Sequence, residues 1–144
     1  MTQAFRAAFK LTHAGALEVV QAACAAALNM GVPQCISVVD EGCNLLAFLR
    51  MDGARVLSIE SATRKAMTAA TIGKPSQEVS GEKALTLALA TDGRMTNLMG
   101  GLPLIIQGHV VGGIGVGSGT GEQDAQVALA GVVALERAVA GGQS

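Results

Sequence analysis

The chain has 144 residues, half of them hydrophobic, with a formal net charge of −1 and neither Trp nor Tyr. Its basic residues are scattered, and only three Phe are present. The basic footprint and stacking platforms of a nucleic-acid binder are both missing, so that class is excluded. A chain this long can bury one core, and the simplest organisation is a single domain over 1–144.

No signal peptide is expected at the N-terminus, because Glu18 interrupts the apolar run and no cleavage pattern follows. Thr12 can cap a first helix whose inward face, at helical spacing, would be Leu17, Val20, Cys24 and Leu28. Gly31 and then Pro33 supply its stop. "QCISVVD" (34–40) and "NLLAFLRM" (44–51) are predicted strands joined through Glu41 and Gly42, and "MDGA" (51–54) is a further turn. A second helix starts at Ser58, places Ile59, Ala62, Ala66 and Ala69 on one stripe, and ends near Gly73 before Pro75.

Residues 76–99 carry mixed signals, since Leu85, Leu87 and Leu89 alternate as in a strand while Ala84 and Ala88 suit a helix. A short helix followed by a loop is the expectation. "PLIIQ" (103–107) and "HVVGGIGVG" (109–117) form a hairpin about Gly108. The closing helix has Val127, Ala130, Val133 or Ala134, and Arg137 at helical spacing. This order implies hairpins rather than βαβ crossovers, hence an α+β domain with an antiparallel sheet.

The uncharged stretch from Met95 to Gly121 is punctuated by Asn97, Pro103, Gln107 and His109, so two strands are expected there and no membrane span. Cys24, Cys35 and Cys43 are odd in number and without C-x-x-C spacing, which points to reduced thiols in the cytoplasm and to no metal site. High apolar content in a short chain points to a homo-oligomer that hides surplus surface.

The glycine-rich segment "GGIGVGSGTGEQDAQ" (112–126) fails both nucleotide fingerprints. Counted from Gly113, Gly115 or Gly117, the sixth position is Ser118, Thr120 or Glu122 where G-x-G-x-x-G needs glycine, and no lysine is present for a phosphate loop. The glycines belong to a strand and its exit, and Glu122 and Asp124 suit the first turn of the helix after it.

Few side chains here can do chemistry. Asp40 ends one strand, Arg50 nearly ends the next, and Asp52 lies in the turn beyond; Asp40 is either a turn cap or a proton-transfer group. Glu60 and Arg64 are spaced as an i, i+4 ion pair. Lys65 and Thr68 lie beside the alanine stripe, where Lys65 either snorkels to water, pairs with Asp40 or Asp52, or holds a ligand carboxylate. His13, in the first turn of the first helix, is a solvated residue or an axial ligand to haem iron.

The blocks "SVVDEGCNLLAFLRMDGA", "SIESATRKAMTAA" and "GGLPLIIQGHVVGGIGVGSGTGEQDAQVA" resemble the GlcG/HbpS-like family, from about Leu11 to Val139. The last block is similar to that family's G-G-x-P-x-x-x-x-G-x-x-V-G-x-I-G-V-S-G pattern followed by x-Q-D, with Gly117 intervening before Ser118. The resemblance implies a profilin-like α+β fold, a homo-oligomer and a haem or related cofactor, with His13 as the one residue placed like a helix-one ligand. The alternative is a metal-independent enzyme for a small carboxylate metabolite. There Arg50, Lys65 and Thr68 would hold the carboxylate, and Asp40, Glu60 or Lys65 would move protons in a deamination, isomerisation or hydration.

Overall fold

The computed structural model describes residues 2–142. Its elements are α1 (His13–Met30), β1 (Cys35–Asp40), β2 (Leu45–Arg50), α2 (Ser58–Ile72), α3 (Gly81–Ala90), β3 (Gly101–Ile106), β4 (His109–Gly117) and α4 (Gly121–Gly141). The strands form one antiparallel sheet in the order β2-β1-β4-β3, from two hairpins joined through their inner strands. The α+β expectation therefore holds, and the ambiguous 76–99 segment is the short helix α3 followed by a loop.

Helices α1 and α4 cover one face of the sheet and α2 covers the other. The central strand β1 is consequently buried at all six positions. Ile36 and Val38 point into the core shared with α1 and α4, while Cys35, Ser37 and Val39 meet α2. The caps follow the sequence. The Thr12 hydroxyl accepts from the Gly15 amide, Thr120 and Gln123 form a capping box on α4, and Gly31 and Gly73 close α1 and α2 in the left-handed region.

The glycines of β4 have a use that strand periodicity does not reveal. A Cβ on Gly115 would overlap the carbonyl oxygen of Ala62, and one on Gly113 would overlap that of Ala66. Helix α2 thus rests its own backbone on β4, its Ala62–Ala66–Ala69 stripe facing a strand stripped of side chains. The predicted alanine stripe is correct, but Ile59 at its head is exposed.

The inward faces of the outer helices differ from expectation. In α1 the core side is Ala16, Val19, Val20, Ala23 and Ala27, while Leu17 is 49% and Leu28 67% exposed. In α4 the core side is Asp124, Val127, Ala128, Gly131 and Leu135; Ala130, Val133, Ala134 and Arg137 line an outer groove instead. Both helices are apolar around most of their circumference, so spacing alone offers two stripes. Close helix-to-helix approach selects the one with small residues, as at Gly131, where a Cβ would crowd Ile114 and Val19. Helix α4 is long and apolar enough to cross a membrane, yet one side of it packs on α1 and the sheet.

Candidate functional site

His13 is exposed in the first turn of α1, beside the Thr12 cap. Residues four apart on a helix share a face, so His13 and Leu17 stand together, on the side that continues through Cys24 to Leu28. Leu17 and Leu28 on it are exposed, while Cys24 between them packs partly against the core. On a different side of α1, at Ala14, Gly15 and Glu18, an apolar groove of about 290 Å³ is walled by Leu11, Ile106, Leu135 and Val139, and neither His13 nor Leu17 lines it. Next to it, Phe9 meets the His109 ring edge-on at 5.1 Å.

Arg50 lies at the Leu28 end of the face that begins with His13. It is exposed and lines a groove with Cys24, Leu28 and Asp52. With a rise of 1.5 Å per residue, Leu28 stands about 22 Å along the helix from His13, so the two basic groups do not share a pocket.

The other expected site residues are dispersed. Asp40 is the cap of the β1–β2 hairpin: its Oδ1 accepts from the Gly42 amide at 2.8 Å and from the Asn44 amide at 2.9 Å. Burial pushes its carboxyl up, but the Asn44 and Gly42 bonds and the nearby Lys10 charge outweigh this and hold it below the usual carboxylate value. Lys10 itself bridges to Glu41. Glu60 is exposed and forms no ion pair with Arg64, so the i, i+4 expectation is corrected; one turn of exposed helix does not hold two hydrated ends together. Thr68 is fully buried, donating to the Arg64 carbonyl at 2.8 Å and accepting from the Thr96 amide at 3.0 Å. Its hydroxyl fastens the loop after α3 to α2 and is not available to a ligand.

Lys65 is the main correction. It is 5% exposed and meets neither Asp40 nor Asp52. Its Nζ donates to Asp124 Oδ2 at 2.9 Å and to the Val116 carbonyl at 2.8 Å, while Asp124 Oδ1 accepts from the Gly119 amide at 3.0 Å. Burial pushes the Asp124 carboxyl above its usual value, against the pull of Lys65 and the Gly119 amide. Beside them Gln34 is fully buried; its side-chain amide comes close enough to Asp124 to oppose that rise, but neither Oε1 nor Nε2 reaches full hydrogen-bond geometry. Gly100 permits the arrangement, because a Cβ there would crowd Asp124 and the Lys65 ammonium. This cluster ties α2, β4 and the start of α4 together, and it removes Lys65 as the grip for a substrate carboxylate.

Asp124 was legible only as a residue suited to a helix N-terminus, because its partner lies 59 positions away. The "QD" at 123–124 joins two functions: Gln123 completes the capping box and Asp124 turns inward to the lysine.

A family model described as "Haem degrading protein HbpS-like" matches residues 11–133. The chain belongs to that family. It is 40% identical over 119 residues to an uncharacterized 15.0 kDa protein of the dhaT-dhaS intergenic region of Citrobacter freundii, covering 79% of this chain and 84% of that one. The match to the corrinoid adenosyltransferase PduO of Salmonella typhimurium, 29% identical over 82% of this chain, spans only 37% of that protein. Among solved structures, HbpS is similar with a TM-score of 0.80 and 37% identity over 90% of this chain and 93% of that one. A PduOC:heme complex also gives a TM-score of 0.80, at 27% identity over 88% of this chain and 95% of that one. The family and fold are thereby established.

Proposed function

We propose that this HbpS-like chain is a single-domain, cytoplasmic homo-oligomer that binds haem or a related tetrapyrrole, with His13 as its axial ligand. The observation that carries this reading is the leucine stripe on the outside of α1, with a histidine at its head and Leu17 one turn on. An exposed apolar helix face is the natural bed for a flat apolar macrocycle, and imidazole is a common ligand to haem iron. The similarity to a structure of a haem complex supports the same choice of cofactor. One chain offers only one side of such a bed. The outer apolar groove of α4 at Leu129, Ala130 and Val133, with Ala22 and Ala25 of α1, supports pairing with further copies.

On this reading His13 would hold the iron and Leu17 would supply apolar surface beside it. The bound group would supply iron redox chemistry, while this chain provides the ligand, the apolar surface and exclusion of water.

The test is hemin titration followed in the visible spectrum, together with sedimentation equilibrium at micromolar protein. A saturable Soret band that His13→Ala shifts or abolishes is expected, with an assembly larger than a monomer. An unchanged spectrum and affinity in His13→Ala removes that residue from the site, and a monomer at all concentrations refutes the oligomer.

A further inference from the structure

The β1–β2 hairpin, the last turns of α2 and the loop after α3 form a half-open cleft of about 200 Å³ on the opposite side of the sheet from α1. It is lined by Gly42, Cys43, Met67, Thr71, Thr91, Arg94 and Met95. That is several times the volume of about 30 Å³ that one water occupies in the liquid. Cys43 adopts a left-handed backbone with φ 66°, uncommon for a residue bearing a Cβ. Its thiol lies 3.5 Å from the Met67 carbonyl and 3.4 Å from the Thr71 hydroxyl, which fixes the hairpin tip against α2. The opposite wall is held as firmly: the Thr91 hydroxyl accepts from the Met95 amide at 3.0 Å and donates to the Leu87 carbonyl at 2.7 Å.

The lining carries one charge, the Arg94 guanidinium. Its Nε donates to the Thr91 carbonyl at 3.1 Å, which anchors the group by one edge. No carboxylate among the described residues lies within ion-pair distance of it, including Asp92 two positions away. Asp40, next to the hairpin tip, is absent from the lining because it is turned to the Gly42 and Asn44 amides. Two methionine side chains supply an apolar, deformable wall. A half-open cleft with apolar walls and, at its mouth, a guanidinium without a carboxylate partner matches a small amphipathic anion. The planar fork of arginine suits a carboxylate head, and the remaining volume suits a short hydrocarbon body.

We propose that this cleft binds a small monocarboxylate, with Arg94 gripping the carboxylate and Met67 and Met95 packing on its short apolar chain. The site is separate from the α1 face proposed for haem and does not depend on that proposal. It also differs from the grip expected at Lys65, whose ammonium is taken by Asp124.

Butyrate is the probe, followed by calorimetry and by chemical-shift changes, with butyramide as the uncharged isostere and inorganic phosphate as a non-amphipathic anion. Saturable butyrate binding is expected, weakened by about tenfold or more in Arg94→Gln, the factor a charge-assisted bond supplies, and absent for butyramide. Bound butyrate should also slow maleimide labelling of Cys43, resolved from Cys24 by peptide mass. Arg94 is exposed, so the variant keeps the fold, which its melting curve verifies. His13→Ala should bind butyrate unchanged, which keeps this result independent of the haem reading. Absence of saturable butyrate binding overturns the proposal, as does equal binding by Arg94→Gln or by butyramide. Tighter binding of phosphate than butyrate also overturns it, because the apolar wall would then contribute nothing.

Discussion

The contact of α2 with β4 and the segment carrying α3 are built on opposite terms. At the first, strand glycines and helix alanines bring two backbones together, and an ion pair with side chains 6% and 3% exposed is sealed beneath. At the second, a helix of ten residues buries none of them, and Leu85 and Leu89 are each about three-quarters exposed. The difference shows where this fold tolerates no change and where it carries freedom. Rigidity comes from missing side chains and satisfied charges, whereas α3 is held mainly through the segments on either side of it. Ser76 does this before α3, donating to the Leu98 carbonyl and accepting from the Gly101 amide, and Thr68 does it after.

The largest effect should come from Lys65→Met. It leaves Asp124 buried without its cation, and breaking such a pair costs about 3–5 kcal/mol. Urea denaturation measures it; a loss below about 1 kcal/mol would mean that the pair contributes no rigidity. Pairing Lys65→Met with Asp124→Leu should recover a large part of the loss, since a well-packed apolar replacement of both charges is often neutral.

Next comes Gly115→Ala. Backbone propensity alone predicts a gain of roughly 0.5–1 kcal/mol from replacing glycine within a strand. The overlap with the Ala62 carbonyl predicts the reverse, a loss of about 3 kcal/mol as α2 is pushed off the sheet. The sign of the change in melting temperature decides between them.

The smallest effect should come from Leu85→Ser, within about 0.5 kcal/mol at dilute concentration, as for an exposed site with no special contact. A loss of several kcal/mol would show that α3 is packed in the assembled protein and would remove the contrast.

The elements themselves were readable because their signals are local. Thr12, Gly31, Gly73 and the Gln107–Gly108 turn each act within a few residues, and the hairpin order forced an antiparallel sheet. The candidate site was read less well. Asp40 was legible as a turn cap, because an Asx turn is made within four residues. The fate of Lys65 was not, because its partner is distant in the chain and lies on another helix.

By itself, the sequence determined the caps, the hairpins, the family and the alanine stripe of α2. Only the tertiary structure decided which stripe of α1 and α4 faces inward, and so that Leu17 and Leu28 lie outside with His13 at their head. Hydrophobic spacing measures how apolar a face is but not how close its neighbour comes. Close approach favours small residues inward, and in this protein it turns the leucines out.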